Sequence, residues 1–276
     1  MTERLLSAPV LAILSGLVEE KIGLHHGDAE RDLLRDKLLA RASEAGFDSL
    51  LDYYYYLRYD PESAAELDAL VDALVVNETY FFREVEPIQT VVRDVVRPLC
   101  AAGATPRIWS AACSTGEEPF SLAMILAGAG LLDRVEIIAS DVSPRALARA
   151  RAGQFSARAL RDHVVVPQGL SRFLTVQDDR PVVSEEIRRA VDFRRVNLLD
   201  DAAIASLGLF DVILCRNVLI YFHDDTARRV IAGLTSALRD RGALLVGISE
   251  SLMRLGTALS CEEHAGSFLY RKAAIS

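Results

Sequence analysis

The chain has 276 residues, 51% of them hydrophobic, and its 39 acidic against 31 basic side chains leave a formal net charge of −8. That length supports one large domain plus a small one, and the negative balance excludes a general nucleic-acid binder. No apolar stretch approaches the ~18 residues of a transmembrane helix, and Met1 to Gly16 lacks a basic region ahead of its apolar residues, so a cytoplasmic protein without membrane insertion is expected. Cys100, Cys113, Cys215 and Cys261 are dispersed with no Cys-x-x-Cys pair, which predicts four buried small apolar residues, no disulfide and no metal site.

Residues 1–76 read as helices throughout. Leu11, Leu14, Leu17 and Val18 form one apolar stripe; Leu34, Leu38, Ala42 and Ala45 form a second; Leu67, Leu70, Val71 and Leu74 form a third. This stretch holds 15 acidic and 7 basic residues and so carries the entire net charge, leaving the remaining 200 balanced. Tyr53 to Tyr56 and Tyr59 are expected to pack within the bundle, because acidic surroundings do not suit a stacking surface for bases. Arg31, Arg35, Lys37 and Arg41 lie at helical spacing as the one basic stripe here, either a solvated face or a docking face for a protein partner.

Residues 75–84 then place three consecutive aromatics, Tyr80 to Phe82, between polar residues, with Arg83 after them. Asn77, Thr79 and Arg83 are either capping and surface residues or members of a site that this segment roofs. Pro87 announces a helix from about Glu86 to Leu99. Ile108 to Cys113 reads as a strand buried on both faces, ending at Ser114-Thr115-Gly116, with Glu117, Glu118 and Pro119 opening a helix. Ser114 and Glu117 fit a capping box. The unit is strand, turn, helix, the start of a doubly wound sheet whose carboxyl edge binds ligands. Gly116 stands alone, so neither a dinucleotide fingerprint nor a P-loop is present. The paired carboxylates either complement the helix dipole or receive a cationic ligand, and the sulfonium and ammonium of S-adenosylmethionine have the right charge.

Val135 to Ala139 is a second strand running into Asp141, which lies 25 positions after Gly116 and so near the offset at which an acid meets ribose hydroxyls. Pro144 to Ala152 reads as a helix. Leu160 to Glu186 is irregular, with β-like pieces at Val164-Val165-Val166 and Pro181-Val182-Val183, and interrupts the βα alternation as an insertion. Val191 to Val196 and Phe210 to Leu214 are further strands, followed by Asn197-Leu198 and by Cys215-Arg216-Asn217. Asp224-Asp225 open a helix to about Asp240, Gly242 ends it, and Ala243 to Ile248 is a fifth strand. Leu252 to Ser260 with Glu262 to Lys272 is expected to close the sheet as an antiparallel hairpin. A mostly parallel sheet so closed is an α/β, Rossmann-like fold, that of class I S-adenosylmethionine-dependent methyltransferases.

Asn-Glu-Thr-Tyr-Phe-Phe-Arg-Glu (77–84), Trp-Ser-Ala-Ala-Cys-Ser-Thr-Gly-Glu-Glu-Pro-Phe-Ser-Leu (109–122), Asp-Phe-Arg-Arg-Val-Asn-Leu-Leu-Asp (192–200) and Cys-Arg-Asn-Val-Leu-Ile-Tyr-Phe (215–222) strongly resemble the chemotaxis receptor methyltransferases, the CheR family. The resemblance runs over about residues 10–272. It implies S-adenosylmethionine-dependent O-methylation of glutamate side chains on chemoreceptor cytoplasmic helices. It implies an all-helical N-terminal docking domain (1–76), a linker roofing the cofactor site (77–100) and a catalytic domain (101–276) with a small inserted β-subdomain at about 160–190. Carried over by position, Asn77, Thr79, Arg83, Glu117, Asp141, Asn197, Leu198, Arg216 and Asn217 would bind the cofactor: Glu117 its amino-acid end, Asp141 its ribose, Asn197 and Leu198 its adenine. Arg83 and Tyr221 would sit nearest the methyl group as catalytic residues. The chain departs from the family in its acidic N-terminal region and in lacking the glycine-rich loop of members that tether to a receptor's C-terminal peptide, so no pentapeptide tether is expected. Two other readings share the cofactor: a methyltransferase for small-molecule carboxylates, and a docking protein that binds the cofactor without catalysis.

Overall fold

Alternating short apolar runs and amphipathic stretches become, in the computed structural model, nine strands and eleven α-helices among the described residues, which are 8–27, 30–161, 165–178 and 180–274. The chain divides into two units, Met1–Val76 with Tyr221–Thr226, and Asn77–Ile220 with Ala227–Ser276.

The smaller unit holds α1 (Ala8–Ile22), α2 (Arg31–Glu44), α3 (Leu50–Tyr59) and α4 (Ala64–Leu74). Their stripes face inward: Leu11, Leu14, Leu17, Val18, Leu34, Leu38, Ala42, Leu70, Val71 and Leu74 are buried, while Ala45 and Leu67 are half-buried. Ser49 caps α3 by accepting from the Asp52 N–H at 3.3 Å. Tyr53 is buried against Phe47 and donates to Glu66 Oε1 at 2.7 Å; Tyr55 and Tyr59 stay exposed and stack on each other. Glu66 also grips Arg41 through two hydrogen bonds of 2.6 and 2.7 Å. The basic stripe is thereby largely neutralised: Arg41 also pairs with Glu44, and Arg35 pairs with Asp32 at 2.7 Å and Asp36 at 3.1 Å. Leu24 bridges Phe222, and the His25 N–H donates to the Tyr221 carbonyl at 2.9 Å.

In the larger unit α5 (Val85–Val91), a π turn (Val92–Val96) and α6 (Arg97–Ala101) run on from one another. The wider turn falls just before Pro98, which has no N–H for the Asp94 carbonyl and whose ring would crowd it in a regular helix. The sheet is built from β1 (Arg107–Ala111), β2 (Glu136–Asp141), β5 (Val191–Arg195), β6 (Phe210–Cys215), β7 (Leu238–Val246), β8 (Ser260–His264) and β9 (Ser267–Arg271), in the order β5-β2-β1-β6-β7-β9-β8. β5, β2, β1, β6 and β7 are parallel; β9 and β8 close the sheet antiparallel. β3 (Leu174–Gln177) and β4 (Arg180–Val183) form a separate antiparallel pair. The helices are α7 (Glu117–Gly128), α8 (Pro144–Ala152), α9 (Glu185–Arg189), α10 (Asp201–Ser206) and α11 (Asp224–Ala237). β1 is central and dry: Trp109 is fully buried, lies 5.4 Å from the Phe210 ring and donates its Nε1–H to Ser140 Oγ at 2.9 Å.

Four expectations need correction. α11 stops at Ala237 and β7 begins at Leu238, because Leu238 pairs with Phe210 before the chain loops out and resumes at Ala243 opposite Val212. The Lys272 ammonium donates to the Leu238 carbonyl at 2.6 Å and the Arg241 N–H to the Lys272 carbonyl at 3.0 Å, which holds that excursion. The closing hairpin turns at Ala265-Gly266, both at positive φ as a tight two-residue turn requires, so Leu252 to Leu259 is not its first strand. Of the β-like pieces in the insertion only 181–183 is a strand; Val165 and Val166 are not, and Val164 lies outside the described residues. Cys261 is exposed on β8, while Cys100, Cys113 and Cys215 are buried and free.

Candidate functional site

The larger unit gathers its unusual backbone at the carboxyl edge of the sheet. Between β1 and α7, Ala112, Ser114 and Gly116 adopt φ of 57°, 51° and 97°. Left-handed backbone at a residue with a Cβ costs roughly 1–3 kcal/mol and persists where surrounding contacts over-determine it. The contacts here are identifiable. The Cys113 N–H donates to the Ser140 carbonyl at 2.8 Å, the Ser114 N–H to Asp141 Oδ2 at 2.8 Å, and Asp141 Oδ1 accepts from the Ser143 N–H at 2.9 Å. Asp141 thus fastens the turn to the end of β2. A Cβ on Gly116 would lie 2.9 Å from the Ala150 Cβ, so the glycine also lets α8 approach. No capping box forms: the N-cap of α7 is Gly116, the Ser114 hydroxyl donates to Asn77 Oδ1 at 3.1 Å, and the Thr115 hydroxyl donates to Glu117 Oε2 at 2.6 Å.

The two adjacent carboxylates of this turn have opposite surroundings. Glu118 accepts from the Ser110 hydroxyl at 2.7 Å and pairs with Arg216 at 3.0 Å. Glu117 is only 4% exposed, and burial pushes its carboxyl above the usual carboxylate range, against the Thr115 hydroxyl and its own N–H. No cationic side chain among the described residues acts on it. A buried acid so placed fits a ligand that brings a positive charge.

The linker is pinned over this turn. Besides the Asn77 contact, the Phe82 N–H donates to Ser121 Oγ at 2.8 Å and the Phe81 N–H to the Ala159 carbonyl at 2.9 Å. Phe81 and Phe82 are buried; Thr79 is half-buried. Arg83, half-buried, donates one N–H to the Glu78 carbonyl at 3.2 Å and lies 5.6 Å from the Tyr80 ring centre. Arg161 covers the same ring at 4.2 Å and pairs with Glu78 at 2.5 Å.

Arg216, which the resemblance implies binds the cofactor, is enclosed by groups of the protein itself. Its side chain is 1% exposed and is spent on Glu118, on Glu84 at 2.8 Å, and on the carbonyls of Arg83 and Glu84 at 3.0 and 3.1 Å. It ties the linker to β6. Asn217, at φ 59°, reaches Glu84 Oε1 with its amide at 3.5 Å. On the far side of the sheet's centre, Asn197 accepts the Leu199 N–H at 3.0 Å and Leu198 is buried, after β5. Tyr221 belongs to the helical unit.

Two residues escaped the sequence reading. Glu84 sits at φ 46°, receives Arg216, and also accepts from the Ile248 N–H at 3.2 Å. Glu250, after β7, accepts four backbone N–H groups: Asn217 at 2.7 Å, Gly247 and Leu219 at 2.8 Å, and Ile220 at 3.3 Å. A Cβ on Gly247 would stand 2.8 Å from that carboxylate, so the close turn requires glycine. Glu250 was open to the rule that singled out Asp141, an acid at the carboxyl end of a core strand.

Residues 77–266 match the family model described as CheR methyltransferase, SAM binding domain, and residues 11–75 match CheR methyltransferase, all-alpha domain. The chain belongs to the CheR methyltransferase family. It is 35% identical over 259 residues to chemotaxis protein methyltransferase 2 of Vibrio cholerae, covering 92% of this chain and 89% of that one. Against chemotaxis protein methyltransferase 1 of Pseudomonas aeruginosa it is 33% identical over 263 residues, covering 92% and 94%. The probable biofilm formation methyltransferase WspC of Pseudomonas putida is 35% identical over 244 residues, 87% of this chain and 56% of that longer one. Family membership gives the fold as that of S-adenosylmethionine-dependent methyltransferases, the cofactor as S-adenosylmethionine, and the reaction as methyl transfer in chemotaxis adaptation. The uncompensated Glu117 carboxylate fits that cofactor's charge. No helix among the described residues is long and apolar enough to cross a membrane.

Proposed function

We propose that the chain is a protein-glutamate O-methyltransferase acting on chemoreceptor cytoplasmic helices. The observation that supports it best is the pinning of the Asn77 to Glu84 segment over the β1–α7 turn, which keeps Arg83 on the same edge as the buried Glu117. When bound, S-adenosylmethionine supplies a methyl carbon made electrophilic by its sulfonium. Glu117 would hold the amino-acid end, Asp141 the ribose, and Asn197 with Leu198 the adenine, while Asn77 and Thr79 would reach in from the linker. In this reading Asp141 receives the ribose while it accepts from the backbone N–H groups of Ser114 and Ser143.

A glutamate side chain is already an anion at neutral pH, so no general base is needed. What the protein must contribute is alignment, which can account for ~7–11 kcal/mol of a barrier. Arg83 would orient the incoming carboxylate by charge-assisted hydrogen bonds, with four of its five N–H donors not engaged by described residues. Tyr221 would shape the methyl site. Asn217, on the turn that Glu250 fixes, would bind the cofactor, with Arg216 acting through the linker. The helical unit, residues 1–76, would dock the substrate, residues 77–100 would roof the cofactor, and residues 101–276 would carry the chemistry with the β-subdomain at about 160–190. The Arg31/Arg35/Lys37/Arg41 stripe is a weaker docking candidate than its sequence promises, because Arg35 and Arg41 are balanced by acids of the same unit. Labelled S-adenosylmethionine with a receptor cytoplasmic fragment tests the reading. Base-labile label on glutamate peptides is expected; label found only on a small acid, or none at all, contradicts it.

A further inference from the structure

Arg83 stands between two residues of unusual backbone. Phe82 has φ 57° and Glu84 has φ 46°, left-handed values that a residue with a Cβ rarely adopts. Such a conformation has to be held by surrounding contacts. Local helix physics does not hold it: Glu84 is the N-cap of α5, yet its side chain caps nothing.

The holding groups come from α7 and from the ends of β6 and β7. Before Arg83, the Phe82 N–H donates to Ser121 Oγ at 2.8 Å, and the Ser121 hydroxyl donates in turn to the Glu117 carbonyl at 2.6 Å. Ser121 is buried on α7, one turn after Glu117. After Arg83, the Glu84 carboxylate accepts from Arg216 at 2.8 Å and from the Ile248 N–H at 3.2 Å. Burial opposes ionisation of Glu84, but Arg216 and the Ile248 N–H hold its carboxyl below the usual carboxylate range. Ordinary explanations of these bonds stop short. A helical serine often donates to the carbonyl four residues back, but that leaves the bond it accepts from Phe82 unexplained. Arg216 already has Glu118 at 3.0 Å to balance its charge, so neutrality does not require a second carboxylate. What the two anchors share is the residue between them.

The Arg83 guanidinium has little of its own to hold it: one hydrogen bond to the Glu78 carbonyl at 3.2 Å and the Tyr80 ring centre 5.6 Å away. Its direction therefore follows from its backbone. We propose that Ser121 and Glu84 are positioning residues, which aim Arg83 at the acceptor carboxylate by fixing the left-handed turn on either side of it. The proposal rests on the function proposed above and names what sets that arginine's direction. A misplacement of about 1 Å can cost about a hundredfold in rate, so loss of either anchor acts on methyl transfer before it acts on cofactor binding.

The test is a double-mutant cycle in single-turnover methyl transfer to a receptor cytoplasmic fragment, with S-adenosylhomocysteine affinity measured by calorimetry on the same proteins. Glu84→Gln and Ser121→Ala are each expected to slow transfer about fivefold. Their affinity should stay within about twofold of the wild type, which also establishes that the variants are folded. In an Arg83→Ala background neither should slow transfer by more than about twofold, because the group they aim is gone. Full additivity, or single variants as fast as the wild type, overturns the proposal and leaves glutamate methylation standing. Equal losses of affinity and rate in the single variants overturn it too, by assigning both residues to the cofactor site. An Arg83→Ala variant as fast as the wild type removes the role given to Arg83 and the proposal with it. A wild type that methylates no receptor fragment overturns the function proposed above as well. Amide hydrogen exchange on the cofactor-free wild type needs no substitution: the Phe82 and Ile248 N–H groups should exchange at least about a hundredfold more slowly than an open loop. Exchange of either at the rate of an open loop overturns the fixed turn.

Discussion

After β1 the chain buries Glu117 beside a hydroxyl and no cation; after β6 it buries Arg216 between two carboxylates and two carbonyls. Both turns lie at the carboxyl edge of one sheet, and both use left-handed residues. The first leaves its charge for something else to balance, whereas the second balances its own and uses the strength of that pairing to hold a linker. Glu250 belongs with the second, since four backbone N–H groups converge on it. Buried charge that is already satisfied builds the frame. Charge that is not satisfied, as at Glu117, is where the proposed function puts the cofactor.

Substitutions should separate the two turns. Arg216→Met leaves Glu84 and Glu118 facing each other without a cation, and removing one partner from a buried ion pair costs roughly 3–5 kcal/mol. A large fall in thermal midpoint is expected; an unchanged midpoint would put Arg216 among ligand-binding residues instead. Glu117→Gln should do the reverse. Its S-adenosylhomocysteine affinity is expected to drop about tenfold to a hundredfold, with a midpoint equal to the wild type or higher, because a buried carboxylate without a cation has been removed. Loss of stability with affinity intact would move Glu117 into the frame. Arg83→Ala is expected to slow single-turnover transfer by more than it weakens cofactor binding, by roughly tenfold. Equal losses in the two assays would deny Arg83 its role on the acceptor.

The smallest effect concerns pH. Burial raises the Glu117 carboxyl in the folded, cofactor-free protein, so that state holds more protons than the unfolded chain between the ordinary carboxylate range and the raised value. Stability contributed by this group therefore falls as pH rises through that window. A cationic ligand prefers the ionised form, so cofactor affinity should fall as pH drops through the same window, by at most about tenfold per unit. Calorimetry of the wild type and Glu117→Gln across that range checks this; the same pH dependence in both would assign it elsewhere.

Much of the frame was legible because it depends on runs of neighbours. Ile108 to Cys113, Val191 to Val196 and Phe210 to Leu214 read as strands from their apolar continuity, and Pro144 to Ala152 read as a helix. What escaped depends on partners far apart in sequence. Arg216 meets Glu84 across 132 positions and Glu118 across 98, so nothing local distinguishes Glu117, which stays unpaired with a cation, from Glu118, which does not. The Ala265-Gly266 turn escaped for another reason, as alanine seldom adopts positive φ and gives no turn signal. The boundary at Leu238 is set by pairing with Phe210, which outweighs the helical pattern continuing to Asp240.

A crystal structure of the protein with S-adenosylhomocysteine tests the central claim most directly. The amino group of the ligand should lie within hydrogen-bond distance of the Glu117 carboxylate, with Arg216 still enclosed by Glu84 and Glu118. A ligand bound with Glu117 untouched, or seated on Arg216 in place of its carboxylates, would contradict the division between the two turns.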